Sequence, residues 1–181
     1  ARGDLGISIT NGADIRHELA TRVPITAELT LLAMLIAIVI ALPLGIIAAL
    51  RQNSSVDLGV TSFGMIGLSL PNFWLGTMLV FFFAVKRQWF PPGGYIPFSE
   101  DPVGNLKSMF LPALSLGLVS ASVIMRMTRA SMLEVINSDY VRTARAKGLT
   151  ESRVTMRHAF RNALIPLVTV VALNFGALIG G

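Results

Sequence analysis

Four long stretches of the sequence contain no charged residue, and this feature restricts the fold more than any other. The stretches are 29–50, 58–85, 108–125 and 162–181. A helix needs about 20 apolar residues to cross the hydrocarbon core of a bilayer, which is about 30 Å thick. We therefore predict a spanning helix in each stretch. The second stretch is too long to span upright and contains Pro71-Asn72, so a tilted or kinked helix is expected there.

The placement of charge also indicates a membrane protein. Charged residues make up 14% of the chain, against about 25% in soluble domains, and they lie almost wholly between the four stretches. The sequence thus predicts an all-α, polytopic transmembrane helical bundle. The absence of cysteine from the sequence excludes disulfides and thiolate metal sites. The basic excess is typical of cytoplasmic loops, so we expect membrane lipid and no nucleic acid as a partner.

The first two polar segments have simple interpretations. Segment 1–28 is expected to lie outside the membrane, with a short helix over 14–22 that ends at the Val23-Pro24 step. A tight turn follows the first span, and Ser54 or Ser55 can cap the next helix. The chain opens in a polar segment without a start methionine and stops inside an uncharged stretch, so we interpret it as an internal fragment that lacks elements at both ends.

The orientation follows from the long basic segment 126–161. The positive-inside rule places this segment in the cytoplasm, so the turn after the first span is also inside and 86–107 is outside. The outside loop contains Trp and Tyr suited to the headgroup region. The basic residues of the cytoplasmic segment are Arg126, Arg129, Arg142, Arg145, Lys147, Arg153, Arg157 and Arg161.

The predicted spans contain no group for energy coupling or catalysis. No Asp, Glu, Lys, Arg or His lies in them, whereas ion-coupled transporters usually keep such residues at membrane depth. The sequence also has no phosphate-binding GxxxxGK[ST] loop, and Thr21 stands where an HExxH zinc helix needs its second histidine. We do not expect an enzyme, and energy for active transport would come from a partner. An ion-coupled secondary transporter or a channel is the alternative.

Small and polar residues within the spans suggest where helices meet. Ala41, Gly45 and Ala49, and Gly176 and Gly180, recur at four-residue spacing, which favours packing within one bundle or a subunit interface. Five polar residues could line a water-filled path, although serine often bonds back to its own helix. They are Ser69, Asn72, Ser115, Ser120 and Asn174.

The cytoplasmic segment contains two predicted helices. The first, over 140–147, is capped by Ser138 or Asp139 and ends at Gly148 in the C′ position. The second is capped by Thr150, with Val154, His158 and Phe160 facing inward. The first helix has small residues between basic ones, so it can enter a groove on another protein or lie on anionic lipid.

The sequence resembles a known family at several points. Residues 157–166 and the run Asp139-Tyr140-Val141-Arg142-Thr143-Ala144-Arg145-Ala146-Lys147-Gly148-Leu149 are similar to the EAA loop of bacterial ABC import permeases. Segments 3–6, 68–76 and 89–95 resemble the B-type permease subunits of dipeptide and oligopeptide systems. Aligned on Gly148, Arg142 stands where the general pattern has Glu, and the Leu-Pro of that pattern is also missing. Both departures are typical of the peptide subfamily.

This resemblance implies a type I ABC importer permease fold of about six spanning helices, four of them in this chain. It implies a permease subunit of an ATP-driven importer of peptides or similar small solutes in a bacterial or archaeal cytoplasmic membrane, without a cofactor. The implied partners are a second permease, two cytoplasmic ATPases and an extracytoplasmic solute-binding protein. The ATPase contact falls on Asp139, Tyr140, Val141, Arg142, Thr143, Ala144, Arg145, Lys147 and Gly148.

Overall fold

The structure, a computed structural model, describes Gly6 and residues 14–180, except for the side chains of Ser152, Met156, Arg157 and His158. The predictions about segment 3–5, Gly181 and the His158 side chain therefore lie outside the described part. The regular elements of that part are helices, as predicted: α1 (Ile15–Leu50), α2 (Ser55–Ser69), α3 (Asn72–Leu79), α4 (Pro102–Ile136), α5 (Asp139–Ala146), α6 (Glu151–Arg153) and α7 (Arg161–Gly180). Two π-helical segments, Val80–Lys86 and Val154–Phe160, continue α3 and join α6 to α7.

Helix α1 is longer than the sequence predicts. The expected short helix over 14–22 is wrong, because α1 begins at Ile15 and continues through Pro24 to the end of the first uncharged stretch. A proline inside a helix costs about 3 kcal/mol, whereas ending the helix would leave several backbone groups without partners. The carbonyl that loses its donor to Pro24 is that of Ala20, an exposed residue, so it is not buried without a partner. The boundary predicted at residue 28 therefore falls inside a helix.

The second uncharged stretch is broken and not merely kinked. Helix α2 and the segment Asn72–Lys86 meet at an angle of 101°. The break lies at Pro71, as the sequence indicates, and Leu70 is extended with φ −83° and ψ 130°. A residue before proline is pushed out of the helical region. At the start of α2, Ser54 accepts a hydrogen bond from the backbone N–H of Asp57 at 3.3 Å, which confirms Ser54 as the cap.

Helix α4 extends the third predicted span at both ends. It runs from Pro102 to Ile136, so the beginning of the predicted cytoplasmic segment 126–161 is helical continuation of a span. The end of that segment runs through the π-helical turn into α7 without a break. Within the segment 126–161, the part around α5 is therefore not a continuation of either spanning helix. Helices α1, α4 and α7 can cross a membrane by length and composition, and the bent pair adds a fourth span if it counts as one.

The core lies where α1 packs against α4 through small side chains. Ala37, Ala41 and Ala121 are almost completely buried there. A Cβ built on Gly45 would lie 2.6 Å from the Thr128 Cβ, so the helices approach closely, as small residues in membrane helices permit. The predicted packing within one bundle is confirmed for the small residues of α1. Those of α7 differ: a Cβ on Gly176 or Gly180 meets nothing within 4 Å among the described atoms.

Candidate functional site

The turn after α5 is a Schellman motif built around Gly148. The backbone N–H of Gly148 donates to the carbonyl of Arg145 at 2.9 Å, and that of Leu149 donates to the carbonyl of Ala144 at 3.4 Å. Gly148 has φ +79°, the left-handed conformation that this motif requires and glycine adopts at low cost. Ser138 occupies the N-cap position of α5 without a capping side-chain hydrogen bond. The predicted C′ role of Gly148 is confirmed.

Helix α5 has one buried face and one exposed face. Val141 and Ala144 are buried and pack with Val154, while Val135 and Leu149 cover the edges of this cluster. These two residues of the predicted contact set therefore face inward, and they support the helix instead of offering a surface to a partner. The remaining members of the set are exposed: Asp139, Tyr140, Arg142, Thr143, Arg145, Lys147 and Gly148, together with Ala146.

Polar contacts join α5 to the elements that follow it. The Arg145 Nε lies 2.9 Å from the Glu151 Oε1, and both side chains are exposed. The Asn162 Nδ2 at the start of α7 donates to the Tyr140 Oη at 2.8 Å. An exposed ion pair contributes only about 0–1 kcal/mol. The buried cluster therefore holds α5 in place, and the polar contacts orient it.

A cavity of about 690 Å³ lies between α4 and the segment containing α3. Its polar groups include the Asn72 amide and the Thr77 and Ser115 hydroxyls, and most of the other lining residues are apolar: Phe73, Gly76, Val80, Phe81, Val85, Pro112 and Leu116. The structure thus brings two of the predicted path residues, Asn72 and Ser115, to one cavity. A volume of this size is typical of sites for small ligands.

The other three predicted path residues do not line this cavity. Ser69 is exposed, and its hydroxyl donates to the Met65 carbonyl at 2.9 Å. Asn174 on α7 donates to the Val170 carbonyl at 2.9 Å, and Ser120 is buried in α4. Bonding back to the same helix, the alternative considered for the serines, is therefore confirmed for Ser69 and also for Ser115, whose hydroxyl donates to the Pro112 carbonyl at 2.8 Å.

The most elaborate polar contact between helices was not predicted from the sequence. Arg129 of α4 donates from Nε to the Asp57 Oδ1 at 2.5 Å and from Nη2 to the Asp57 Oδ2 at 2.7 Å. Asp57 lies in the first turn of α2 and is 4% exposed. Both residues stand out in the sequence, because Asp57 directly precedes one uncharged stretch and Arg129 closely follows another. Their pairing could not be predicted, since 72 positions separate them.

Two side-chain hydrogen bonds join the part of the loop 86–107 that precedes α4 to the bundle. The Tyr95 Oη donates to the Glu28 Oε2 of α1 at 3.0 Å, and this hydrogen bond raises the pKa of the Tyr95 phenol above its ordinary value. The completely buried Asn105 of α4 donates from Nδ2 to the Ile96 carbonyl at 2.8 Å. The loop is therefore fixed to the two helices that form the core.

Comparison with known proteins gives one family. The family of binding-protein-dependent transport system inner membrane components matches residues 41–181. A Brucella suis protein whose name describes a peptide transport system permease is 44% identical over 178 residues, which cover 98% of this chain and 57% of that protein.

Two further relatives are also named as permease proteins of peptide transport systems. The di/tripeptide transport system permease protein DppB of Pseudomonas aeruginosa is 42% identical and is covered to 60% of its length by all of this chain. The oligopeptide transport system permease protein AppB of Bacillus subtilis is 38% identical, with 99% of this chain aligned to 58% of that protein. The chain thus spans somewhat more than half of the length of the curated relatives that it matches.

Proposed function

We propose that this chain, which belongs to the family of binding-protein-dependent transport system inner membrane components, is a permease subunit of an ATP-driven importer of peptides or similar small solutes. The observation that carries the proposal is the similarity of nearly the whole chain to permeases named for peptide transport, at 38 to 44% identity. The proposed location is the bacterial cytoplasmic membrane. The proposed partners are a second permease, two cytoplasmic ATPases and an extracytoplasmic solute-binding protein.

The cavity beside α3 is the proposed part of the translocation path in this subunit. A peptide backbone presents N–H and C=O groups that lose their water on entering an apolar region, and each needs a partner there. The Asn72 amide can donate and accept, and the hydroxyls of Thr77 and Ser115 can accept a further bond. The second permease would close the open side of the cavity.

The exposed face of α5 is the proposed contact with an ATPase. Arg142, Arg145 and Lys147 lie on this face, and arginine pairs well with carboxylates in a groove. Val141 and Ala144 anchor the opposite face to Val154, so a displacement of α5 would be passed to the spans and not absorbed locally. ATP hydrolysis is assigned to the partner, because the predicted spans offer no residue for ion coupling and the sequence has no GxxxxGK[ST] loop.

Uptake into proteoliposomes tests this function. The complete transporter is reconstituted with ATP on the ATPase side, and labelled di- and tripeptides are supplied with the binding protein on the other side. We expect uptake that requires hydrolysable ATP and does not change when a protonophore is added. Uptake without ATP would indicate a channel, and collapse of uptake by the protonophore at constant ATP would indicate the ion-coupled alternative.

A further inference from the structure

The ion pair between Asp57 and Arg129 also organises the chain around it. The Asp57 carboxylate accepts a bond from the backbone N–H of Asn53 at 3.0 Å, and Asn53 has φ +63° in the turn before α2. The Thr61 hydroxyl lies 3.5 Å from the same carboxylate. One carboxylate thus joins the turn after α1, the first turns of α2, and α4. Two parallel bonds to a guanidinium fix orientation as well as distance.

The rest of the α2–α4 contact is close but not directional. A Cβ built on Gly64 would lie 2.8 Å from the Met125 methyl, and one on Gly67 would overlap the Ser122 hydroxyl. Helices that meet through glycines approach closely, yet such a surface offers no bond that stops one helix from sliding along the other. The ion pair supplies the directional contact that this interface lacks.

Two cavities border the ion pair. One, of about 230 Å³, lies between α2 and α4 and is bordered by Met65, Met125 and Arg129. A second, of about 430 Å³, lies beside Asn53 and Leu58 and also reaches Arg129. Side-chain packing around the pair is therefore incomplete. The two bonds are therefore the directional contact that fixes the start of α2 relative to α4.

The two helices lead to the two parts of the proposed function. Helix α2 continues to the break at Pro71 and then to one wall of the cavity, whereas α4 forms the other wall and ends just before α5. We propose that Asp57 and Arg129 are positioning residues that make the start of α2 move with the cytoplasmic half of α4. Displacement of α5 then reaches the cavity-lining segment. This inference rests on the proposed function of the chain as an importer subunit.

Asp57→Asn and Arg129→Lys test the link in the complete, reconstituted transporter. Asp57→Asn removes the negative charge, and Arg129→Lys keeps the positive charge but cannot form the two-bond fork. We expect both variants to insert, bind the ATPase and hydrolyse ATP near the wild-type rate, with solute imported per ATP reduced about tenfold. Arg22→Gln is the matched control, because it breaks the Arg22–Glu18 pair within α1 and should change nothing.

A distance measurement distinguishes an ion pair that makes α2 and α4 move together during transport from one that only stabilises the fold. Spin labels at Leu58→Cys and Ala130→Cys, both exposed positions in a cysteine-free chain, should report one narrow distance in the nucleotide-free and ATP-bound transporter. In the Asp57→Asn variant, the distribution of distances between the two labels should broaden. If Asp57→Asn fails to insert, the double variant Asp57→Asn/Arg129→Gln carries the test, since it leaves no unpaired buried charge.

Each outcome decides the proposal. Unchanged import per ATP in the variants, or equal loss of hydrolysis and import, would show that the pair is dispensable or merely structural. A wild-type distance that changes between nucleotide states would show that α2 and α4 move separately. If the wild-type transporter itself imports nothing with ATP, the proposed function fails and the inference with it. Normal wild-type import with unaffected variants overturns the inference alone.

Discussion

Gly148 shows how much one residue determines at the α5 end of the bundle. Its φ of +79° lets the backbone N–H groups of Gly148 and Leu149 reach carbonyls in the last turn of α5, so the helix ends there. A Cβ there meets nothing within 4 Å. The cost of a substitution inside this chain is therefore backbone strain alone, and any steric effect must come from a partner.

Gly148→Val and Gly148→Asn separate these two effects. A β-branched residue is strained in the left-handed region by about 1–2 kcal/mol, whereas Asn adopts that region readily. We expect Gly148→Val to insert normally and to lower ATP-driven import roughly tenfold, and Gly148→Asn to retain import. The measurements are inserted protein, co-purified ATPase and uptake. Gly94→Val is the matched control, because Gly94 also has positive φ and an open Cβ position but lies in the loop 86–107.

Three results would change this interpretation. Equal loss in the Val and Asn variants would mean that bulk against the ATPase matters and backbone strain does not. Normal import in Gly148→Val would make the glycine a dispensable turn residue. Loss of inserted protein would assign it to folding.

Residues whose structure depends on near neighbours were predictable, and those that depend on distant ones were not. Gly148 and Ser54 follow short-range rules of helix termination, and both occupy the predicted positions. Asp57 looks like a residue of a polar turn, and only the approach of α4 makes it a buried partner of Arg129. The inward orientation of Ala144 depends likewise on Val154, across the Gly148 turn.

At the scale of elements, the α1–α4 contact should be the most sensitive to added volume. A Cβ on Gly45 would lie 2.6 Å from the Thr128 Cβ and 2.8 Å from the Met125 carbonyl oxygen, and backbone cannot move aside easily. Overpacking of this kind costs about 1–3 kcal/mol. We therefore expect Gly45→Ala to lower the thermal unfolding midpoint of the purified protein in detergent.

Gly59→Ala is the matched control for this change. It adds the same methyl group to a helix, but its Cβ meets nothing within 4 Å, and alanine favours a helix over glycine by about 1 kcal/mol. The midpoint should stay the same or rise. Equal midpoints for both variants would mean that α1 and α4 do not pack as closely as described.

The break at Pro71 separates a polar residue that lines the cavity from one that does not. Asn72 and Ser69 stand on either side of the break and are both exposed, but only Asn72 lines the 690 Å³ cavity. Attachment of a bulky thiol reagent to Asn72→Cys should block import, and addition of transported peptide should slow the attachment. The same treatment of Ser69→Cys should leave import nearly unchanged. Equal inhibition at both positions would contradict a path through this cavity.

Element lengths were harder to predict than element positions. The four uncharged stretches mark where helices lie, because lipid excludes charge. They do not mark where helices end, since α1 and α4 continue into polar sequence at Ile15 and Ile136. Helix hydrogen bonding does not require apolar side chains, and a proline such as Pro24 removes only one bond. The size of the bend at Pro71 also depends on packing against α4, which sequence periodicity does not report.

On the scale of the whole molecule, the two ends of the bundle have different character. One end contains the buried Asp57–Arg129 pair, the α5 helix and most of the arginines. The other contains the aromatic loop 86–107, tied down by Tyr95 and Asn105. This asymmetry predicts that the α5 end faces the cytoplasm.

The local charges do not all agree with this orientation, which makes a direct test worthwhile. The aromatic loop contains Lys86, Arg87 and Lys107, whereas the turn after α1 contains only Arg51. The cluster of eight basic residues in 126–161 outweighs this difference, because the rule depends on the total bias near the ends of the spans. Single cysteines can decide the matter, since the natural chain has none.

Ser99→Cys and Ala146→Cys probe the two ends, and both positions are exposed. In sealed right-side-out vesicles prepared without the ATPase, an impermeant thiol reagent should label Ser99→Cys at once and Ala146→Cys only after the vesicles are opened. Labelling of Ala146→Cys in the sealed vesicles, with Ser99→Cys protected, would reverse the orientation. Helix α5 would then face away from the ATP pool, and neither the proposed ATPase contact nor the role of the Asp57–Arg129 pair in transmitting its motion could stand.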